Sequence, residues 1–479
     1  MNYRIILYII GWVLNIEAAF MLLPVITGIL YQEPALWAFA AAGALCLLFG
    51  VSLTFRKPKR QYFYVKEGYV TVALSWVVLS IMGALPFLFS GAISHPIDAL
   101  FETVSGFTTT GASILPAVED LPKCVLLWRS FTHWLGGMGV LVFLLSLLKL
   151  AGGSHMNLMK AESPGPSVGK LMPKVHSTAK ILYGIYIAIT VTEFIVLLVS
   201  GMTVFDALTT AFGTAGTGGF GIKNDSMASY SPLIQVEVTI FMILFGVNFN
   251  FYFLLLLRKW KQAFANEEVC WYFLIIFASI LLISWDIRGL YGTFGTAIRE
   301  SAFQVGSVIT TTGFATADFN QWPIISRTIL VMLMFIGACA GSTGGGIKVS
   351  RFIILIKSSR KELRQYIHPR QIHKIRMDGK PVDREIVRNI NAFMIIYVLI
   401  FAFSVLALAC DGHDLITNFT AVAATFNNIG PGLELVGPSA NFAFFSNPAK
   451  MILIFDMLAG RLEIFPLLLL FVRDTWRKF

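Results

Sequence analysis

Four short glycine turns interrupt otherwise apolar sequence: TTTGAS at 108–113, TGGFG at 217–221, TTTGFA at 310–315 and NNIGPG at 427–432. Glycine adopts backbone conformations that other residues resist, so each turn can aim main-chain carbonyls where a regular element cannot. A ring of such carbonyls replaces the water shell of a small cation. The chemistry these residues point to is ion coordination and passage, selective for potassium. With Gly111, Gly219, Gly313 and Gly430 as equivalent positions, the copies lie 108, 94 and 117 residues apart, an internal repeat that decides the fold argument.

Something must carry each turn to a common place. Thirteen residues before the glycines stand Asp98, Asp206, Glu300 and Thr417, and the intervening stretches, such as ALFETVSGFTT and ALTTAFGTAGT, read as short helices. An acid or hydroxyl there is an N-cap or first-turn signal that offsets the positive end of the helix dipole. The negative end then faces the site a cation would occupy. Non-helical backbone at membrane depth is tolerable only where it is buried or lines water, so the pattern predicts re-entrant hairpins. Glu102, one turn after Asp98, either draws cations to the mouth or caps the helix.

The composition, 56% hydrophobic and 13% charged with mean hydropathy +0.73, is far from the roughly 25% charged of soluble domains. A bilayer core needs about 20 apolar residues per crossing. Ten stretches qualify: near 5–30, 36–55, 68–91, 124–148, 178–200, 232–257, 269–288, 324–356, 387–410 and 449–472. The run ending at Leu30 exceeds a signal-peptide core and has no cleavage site after it, so it reads as a retained span. The five cysteines sit in or beside apolar runs without C-x-x-C spacing and read as packing residues.

The net charge of +10 is distributed by topology. Segments 55–66, 149–180, 258–261, 357–388 and 473–479 hold 5, 5, 3, 10 and 3 Lys/Arg, whereas loops 90–123, 201–232, 288–323 and 411–448 hold 1, 1, 2 and 0. The positive-inside rule makes the first set cytoplasmic, with both termini inside. This argues against nucleic-acid binding and places all four glycine turns on the outer face. Every hairpin then has the same orientation, unlike the inverted repeats of many solute carriers. Scattered histidines without H-E-x-x-H spacing argue against an enzyme.

The eighth span is broken by GACAGSTGGG at 337–346, where each interior glycine costs a helix about 1 kcal/mol relative to alanine. A loop at that depth lines an aqueous path. Arg461 falls within the last span, where an arginine costs about 2.5–3.5 kcal/mol and is a functional candidate by default. Asp456 and Glu463 are not at helix-face spacing from it, so its partner is expected elsewhere. Glu193, Asn248 and Asn250 read as structural polar groups between helices.

TTTGAS, HWLGGMGVLVF (133–143), TGGFG, TTTGFA, CAGSTGGGIKVSR (339–351), NNIGPG and AGRLEIFPL (459–467) together resemble the Trk/Ktr/HKT superfamily of potassium transporters over nearly the whole chain. The two N-terminal spans outside the repeat suit its TrkH-like branch. The resemblance implies a selectivity filter with one glycine per repeat. The potassium-binding set would be Thr109, Thr110, Gly111 and Ala112; Thr217, Gly218, Gly219 and Phe220; Thr311, Thr312, Gly313 and Phe314; and Asn428, Ile429, Gly430 and Pro431. Glycine rather than serine at 111 favours potassium over sodium. The second and fourth turns depart from TTTG, so the symmetry is approximate. The resemblance also makes Gly341, Ser342, Thr343, Gly344, Gly345 and Gly346 an intramembrane gating loop, with Arg461 beside it.

The insert at 357–389 carries ten Lys/Arg and four acids, with a tight turn expected at 377–381. It either fixes topology or docks an acidic partner; 149–180 is a second candidate contact. SPGPSVGK within it lacks phosphate-loop spacing, so this chain is not expected to bind ATP. The resemblance implies a homodimer working with a cytosolic, nucleotide-binding ring of the TrkA or KtrA type. Potassium is then the transported ion, with no organic cofactor, in a bacterial cytoplasmic membrane. The alternatives are a sodium- or proton-coupled cation symporter and, further off, an organic-solute symporter. The expected fold is all-α: two extra N-terminal helices (1–60) and four parallel span, pore-loop, span repeats at 61–160, 161–265, 266–375 and 376–479, around a pseudo-fourfold pore.

Overall fold

Six of the ten apolar stretches form helices long and apolar enough to cross a membrane: Tyr3–Leu30, Leu36–Thr54, Val65–Phe89, Lys180–Val199, Glu267–Gly289 and Arg384–Asp411. The computed structural model describes residues 1–58, 64–139, 175–371 and 373–477. SPGPSVGK and most of the 149–180 contact candidate therefore lie outside the described residues.

Ten spans are expected from the sequence, the eighth of them broken, and the four that do not form one such helix among the described residues share a position. They are the segments that follow each glycine turn. In the first repeat, helix Lys123–Gly137 is described up to its glycine-rich end. In the second, Pro232–Phe245 and Phe249–Leu256 meet at an 89° bend. In the third, Ile324–Phe335 and Val349–Ile367 are separated by the glycine-rich loop. In the fourth, Asn447–Arg461 stops where the sequence suggested mid-span, and a short helix, Phe465–Leu469, follows. The first α-helix after each turn starts beside a proline: Pro122, Pro232, Pro323 or Pro448. Proline is tolerated at a helix start because the amide it removes has no partner there.

The predicted short helices are Pro96–Phe107, Val204–Gly216, Phe294–Ile309 and Leu415–Phe426. Their caps differ in part from the expectation. Asp98 and Asp206 do lie in first turns, but in the second repeat the capping oxygen belongs to Thr203. Glu300 sits in the second turn of its helix, which Thr293 caps. There it pairs with Arg299 at 2.8 Å and accepts from the Thr316 hydroxyl. Thr417 is the capped residue, its amide donating to Asp414 at 2.9 Å.

Each post-turn helix packs against the short helix of the next repeat: Lys123–Gly137 on Val204–Gly216, Pro232–Phe245 on Phe294–Ile309, Ile324–Phe335 on Leu415–Phe426 and Asn447–Arg461 on Pro96–Phe107. The last pairing closes the circle. One core accordingly joins Phe101 and Phe107 of the first repeat to Phe426, Leu453 and Met457 of the fourth. Lys450, 6% exposed, adds an ion pair to Asp98 at 2.7 Å across that seam. The fold is thus a helical membrane protein of four parallel repeats about a pseudo-fourfold axis, with the two N-terminal helices packed outside. Cys46, Cys124 and Cys339 are buried, and no disulfide occurs among the described residues.

Asp414 gives a direct test of how the fourth hairpin is anchored. Hydrogen bonds from Thr417 hold its carboxyl below the usual range. A depressed folded value means the cap stabilises above the unfolded pKa, about 3.9, and loses its effect as pH falls through the folded value. Asp414→Ala is expected to cost about 1 kcal/mol, seen as a lower thermal midpoint at pH 7 and a difference from the parent that shrinks as the pH falls through the folded carboxyl's depressed pKa.

Candidate functional site

Gly111, Gly219, Gly313 and Gly430 meet in one ring, and the contacts run in a single direction around it. A Cβ on Gly111 would overlap the carbonyl oxygen of Gly218, one on Gly219 that of Thr312, and one on Gly313 that of Ile429. A Cβ on Gly430 would come 2.7 Å from the carbonyl oxygen of Thr110. Each repeat thus presents the carbonyl just before its own glycine to the glycine of a neighbour. All four glycines have positive φ, between +74° and +101°. The residues two places earlier, Thr109, Thr217, Thr311 and Asn428, are also left-handed, with φ between 53° and 60°. Such non-glycine residues are uncommon and mark backbone under constraint.

All sixteen residues expected at the turns are therefore brought together. One cavity is lined by the four glycines with Ala112, Phe220 and Pro431, and Arg129 and Lys223 stand at its wall. Phe314 is buried and packs against Gly213 of the second short helix.

The departures from TTTG have local reasons. In the first and third repeats the outer threonines pair through their hydroxyls, Thr108 with Thr110 at 2.8 Å and Thr310 with Thr312 at 2.7 Å. In the fourth, Asn427 reaches Tyr397 and its own helix at Ala423. Asn428 donates to the Thr110 hydroxyl and to the Met457 carbonyl, both at 2.9 Å, stitching the fourth repeat to the first. In the second repeat Gly218 leaves room for the buried His133 ring, and Gly216 for the His133 carbonyl.

Glu102 takes neither of its two expected roles. It is fully buried, pairs with Arg129 at 2.8 Å, and accepts from the Ser113 hydroxyl and the Ile114 amide. Arg129 also donates to the Gly221 carbonyl at 3.1 Å. The pair braces the chain leaving the first two turns. Arg129 has no motif around it. Its partners are 27 and 92 residues away, so no local spacing signals the role.

Beneath the ring lies the broken segment of the third repeat. Its neck is closed by a parallel bridge between Ile336 and Ile347, with Gly337 donating to Ile347 at 2.7 Å. A Cβ on Gly345 would stand 2.7 Å from the Asn427 carbonyl, and one on Gly344 2.9 Å from that of Thr310. The loop touches the underside of two turns. Gly345 N–H donates to the Thr311 hydroxyl at 2.6 Å and the Thr343 hydroxyl to the Phe245 carbonyl. Gly341 accepts from Phe249 N–H at the bend of the second repeat, and Ser342 folds back onto Cys339. Gly346 completes the loop at a positive φ of 68°.

Arg461 reaches this loop from the end of its helix. Its guanidinium donates to the Thr343 carbonyl at 2.9 Å, the Thr109 hydroxyl at 3.2 Å, the Gly137 carbonyl at 2.8 Å and the Gly136 carbonyl. As expected from spacing, neither nearby acid is its partner. Asp456 accepts from Ser404, and Glu463 pairs with Arg351. The chain turns sharply after Arg461. Glu463 and Ile464 have φ of 56° and 68°, and Phe465 N–H closes a three-residue turn onto Glu463 at 2.7 Å. That hand of turn is rare and strained.

Lys348 was not singled out by its sequence context, although it ends the same glycine motif. It is buried and donates to the Gly344 and Gly345 carbonyls, the latter at 3.0 Å. Glu268 holds both shoulders of the loop, accepting from Ala340 N–H at 2.7 Å and Ser350 N–H at 3.0 Å. The expected turn at 377–381 is a two-stranded hairpin, Arg376–Met377 with Lys380–Pro381. Its Asp378 accepts from Glu267 N–H at 2.8 Å, next to Glu268. Glu193 is fully buried against Thr214, and Asn248 caps the helix after the bend at Asn250 N–H.

Four re-entrant hairpins converging on one axis, over a loop lodged at membrane depth, define a multi-pass membrane transport protein. The sequence profile described as "TrkH: Cation transport protein" matches residues 35–283 and 292–478. The Trk system potassium uptake protein TrkH of Escherichia coli K12 is 36% identical over 487 residues, covering 100% of both chains. TrkG of the same organism, also a Trk system potassium uptake protein, is 32% identical with 99% of each chain covered. The crystal structure of the potassium transporter TrkH from Vibrio parahaemolyticus superposes with a TM-score of 0.89 at 33% identity over 100% of both chains. The chain belongs to the TrkH family.

Gly313→Ala tests the closeness of the ring. The added methyl meets the Ile429 carbonyl at a backbone conformation that costs an L-residue about 1–2 kcal/mol before any overlap. A loss of thermal stability beyond that range is expected for the purified protein; an unchanged midpoint would mean the ring has slack.

Proposed function

We propose that this chain takes up potassium across a bacterial cytoplasmic membrane, passing dehydrated ions through the ring formed by residues 109–112, 217–220, 311–314 and 428–431. The observation that carries the reading is the closed sequence of glycine-to-carbonyl contacts. Four main-chain segments nearly a hundred or more residues apart approach so closely that no side chain fits between them, which is what a carbonyl cage for a bare cation requires. The names of the relatives, potassium uptake proteins over their full length, support the choice of ion. A membrane potential of 100 mV is worth about 2.3 kcal/mol per charge, enough for roughly fiftyfold accumulation without a coupled ion.

The loop from Gly341 to Gly346 serves as the gate. Its carbonyls at Thr343, Gly344 and Gly345 are occupied by Arg461 and Lys348 rather than facing an ion. At 4 Å and an effective dielectric of 20, each of these charges would oppose a passing cation by about 4 kcal/mol. Opening then means withdrawing the loop together with its cations. Glu268 and the hairpin at 376–381 give that motion a handle on the basic insert, which faces the cytoplasm with both termini. We take the regulator to be a cytosolic nucleotide-binding ring acting on a homodimer of this chain, and the four repeats, at 61–160, 161–265, 266–375 and 376–479, as the units around the pore.

The test is cation flux into proteoliposomes under an imposed potential, without any partner. Potassium and rubidium are expected to enter faster than sodium or lithium. Equal rates for potassium and lithium would defeat the selectivity claim, and uptake driven only by a sodium or proton gradient would replace uniport with symport. Arg461→Ala is expected to raise basal potassium flux by about 10- to 100-fold; unchanged flux from a normally inserted protein removes Arg461 from the gate.

A further inference from the structure

The second quarter of the ring lacks the side chains that support the others. Three places before the ring glycine stand Thr108, Thr310 and Asn427, but Gly216 in the second quarter; one place before stand Thr110, Thr312 and Ile429, but Gly218. Thr108 and Thr310 anchor their pairs to the short helices, donating to Val104 and Gly306 at 2.7 Å. The second quarter has no hydroxyl at either place. The imidazole of His133, contributed by the first repeat, fills the gap: a Cβ on Gly218 would overlap its Cγ and Nδ1, and one on Gly216 the His133 carbonyl.

Both ring nitrogens are engaged. Nδ1 lies 2.8 Å from the Gly106 carbonyl, which can only accept, so Nδ1 carries the proton. Nε2 is left with its lone pair and accepts from Phe220 N–H at 3.2 Å. The Phe220 ring is clamped in turn, its centroid 4.3 Å from that of His133 and 4.2 Å from the Arg129 guanidinium carbon. Phe220 N–H belongs to the same peptide unit as the Gly219 carbonyl. In a planar trans peptide the two point in opposite directions. Drawing the N–H back toward His133 therefore aims the Gly219 oxygen away from it.

We propose that His133 is the positioning residue that sets ion discrimination in the second quarter, its Nε2 lone pair fixing the Gly219–Phe220 peptide with the carbonyl on the axis. An imidazole from the neighbouring repeat fills there the space that a hydroxyl pair fills in the first and third quarters, and adds an acceptor for the peptide after the ring glycine. The inference rests on the filter reading above.

Two substitutions separate the two nitrogens. His133→Asn keeps an amide near the Nδ1 position for Gly106 but leaves Phe220 N–H without an acceptor; His133→Gln places a side-chain oxygen near the Nε2 position. Potassium-to-sodium flux ratios in proteoliposomes are measured alongside thermal midpoints of the purified proteins. His133→Asn is expected to lower the ratio about tenfold, the size of one lost hydrogen bond, whereas His133→Gln retains most of it. The double variant His133→Ala/Gly218→Val refills the space without restoring an acceptor, and is expected to regain stability but not selectivity. Wild-type selectivity in either His133→Asn or the double variant overturns the inference and leaves the filter reading standing. A parent protein that passes potassium and lithium equally overturns both.

Discussion

The structure depends on one steric condition: a carbonyl oxygen of each repeat occupies the place where a Cβ of its neighbour would be. That condition makes Gly111, Gly219, Gly313 and Gly430 mutually necessary. It can be met only if the four turns are delivered to the same depth and angle. The short helices deliver them, and the post-turn helices lock each against the next in a closed circle. Beneath the ring the chain bends after Phe245, unwinds after Phe335 and ends its helix at Arg461.

Lodging so much irregular backbone in a membrane requires partners for its polar groups, because no water in the hydrocarbon can supply them. The partners are charged side chains, some from the same repeat and one from across the ring. Arg461 donates to four acceptors on two other repeats, Lys348 closes on two carbonyls of its own loop, Glu268 grips that loop at both ends, and Glu102 with Arg129 braces two ring exits. A lone arginine at this depth costs about 2.5–3.5 kcal/mol. Hydrogen bonding by both terminal nitrogens of the guanidinium offsets that cost. The same bonds concentrate positive charge directly below the ring.

Glycine turns at matched intervals, short helices ahead of them and a glycine-rich interruption are legible in the sequence because each is a local signal read within about fifteen residues. So is the isolation of Arg461, since no acid stands at helix-face spacing from it. Other features are not local. Arg129 acts on Glu102 and Gly221, His133 on Gly106 and Phe220, and nothing near either residue marks the contact. Glu300 shows the converse error. Counting back from the glycine puts it where a cap belongs, but its helix starts about a turn earlier, at Thr293. Counting residues assumes equal helix lengths, and the third short helix is longer than the first.

The circle is closed by one continuous polypeptide, the fourth repeat returning to the first through Asn428 and the Lys450–Asp98 pair. In an assembly of four identical subunits any substitution is displayed four times, so features that suit one wall only are inaccessible. A tandem chain escapes that rule. One wall has surrendered its hydroxyls to an imidazole, another has unwound its inner helix, and a third contributes a guanidinium, each without imposing the change on the rest. Internal duplication followed by divergence has thereby turned a symmetric scaffold into a machine with a distinct front, back and sides.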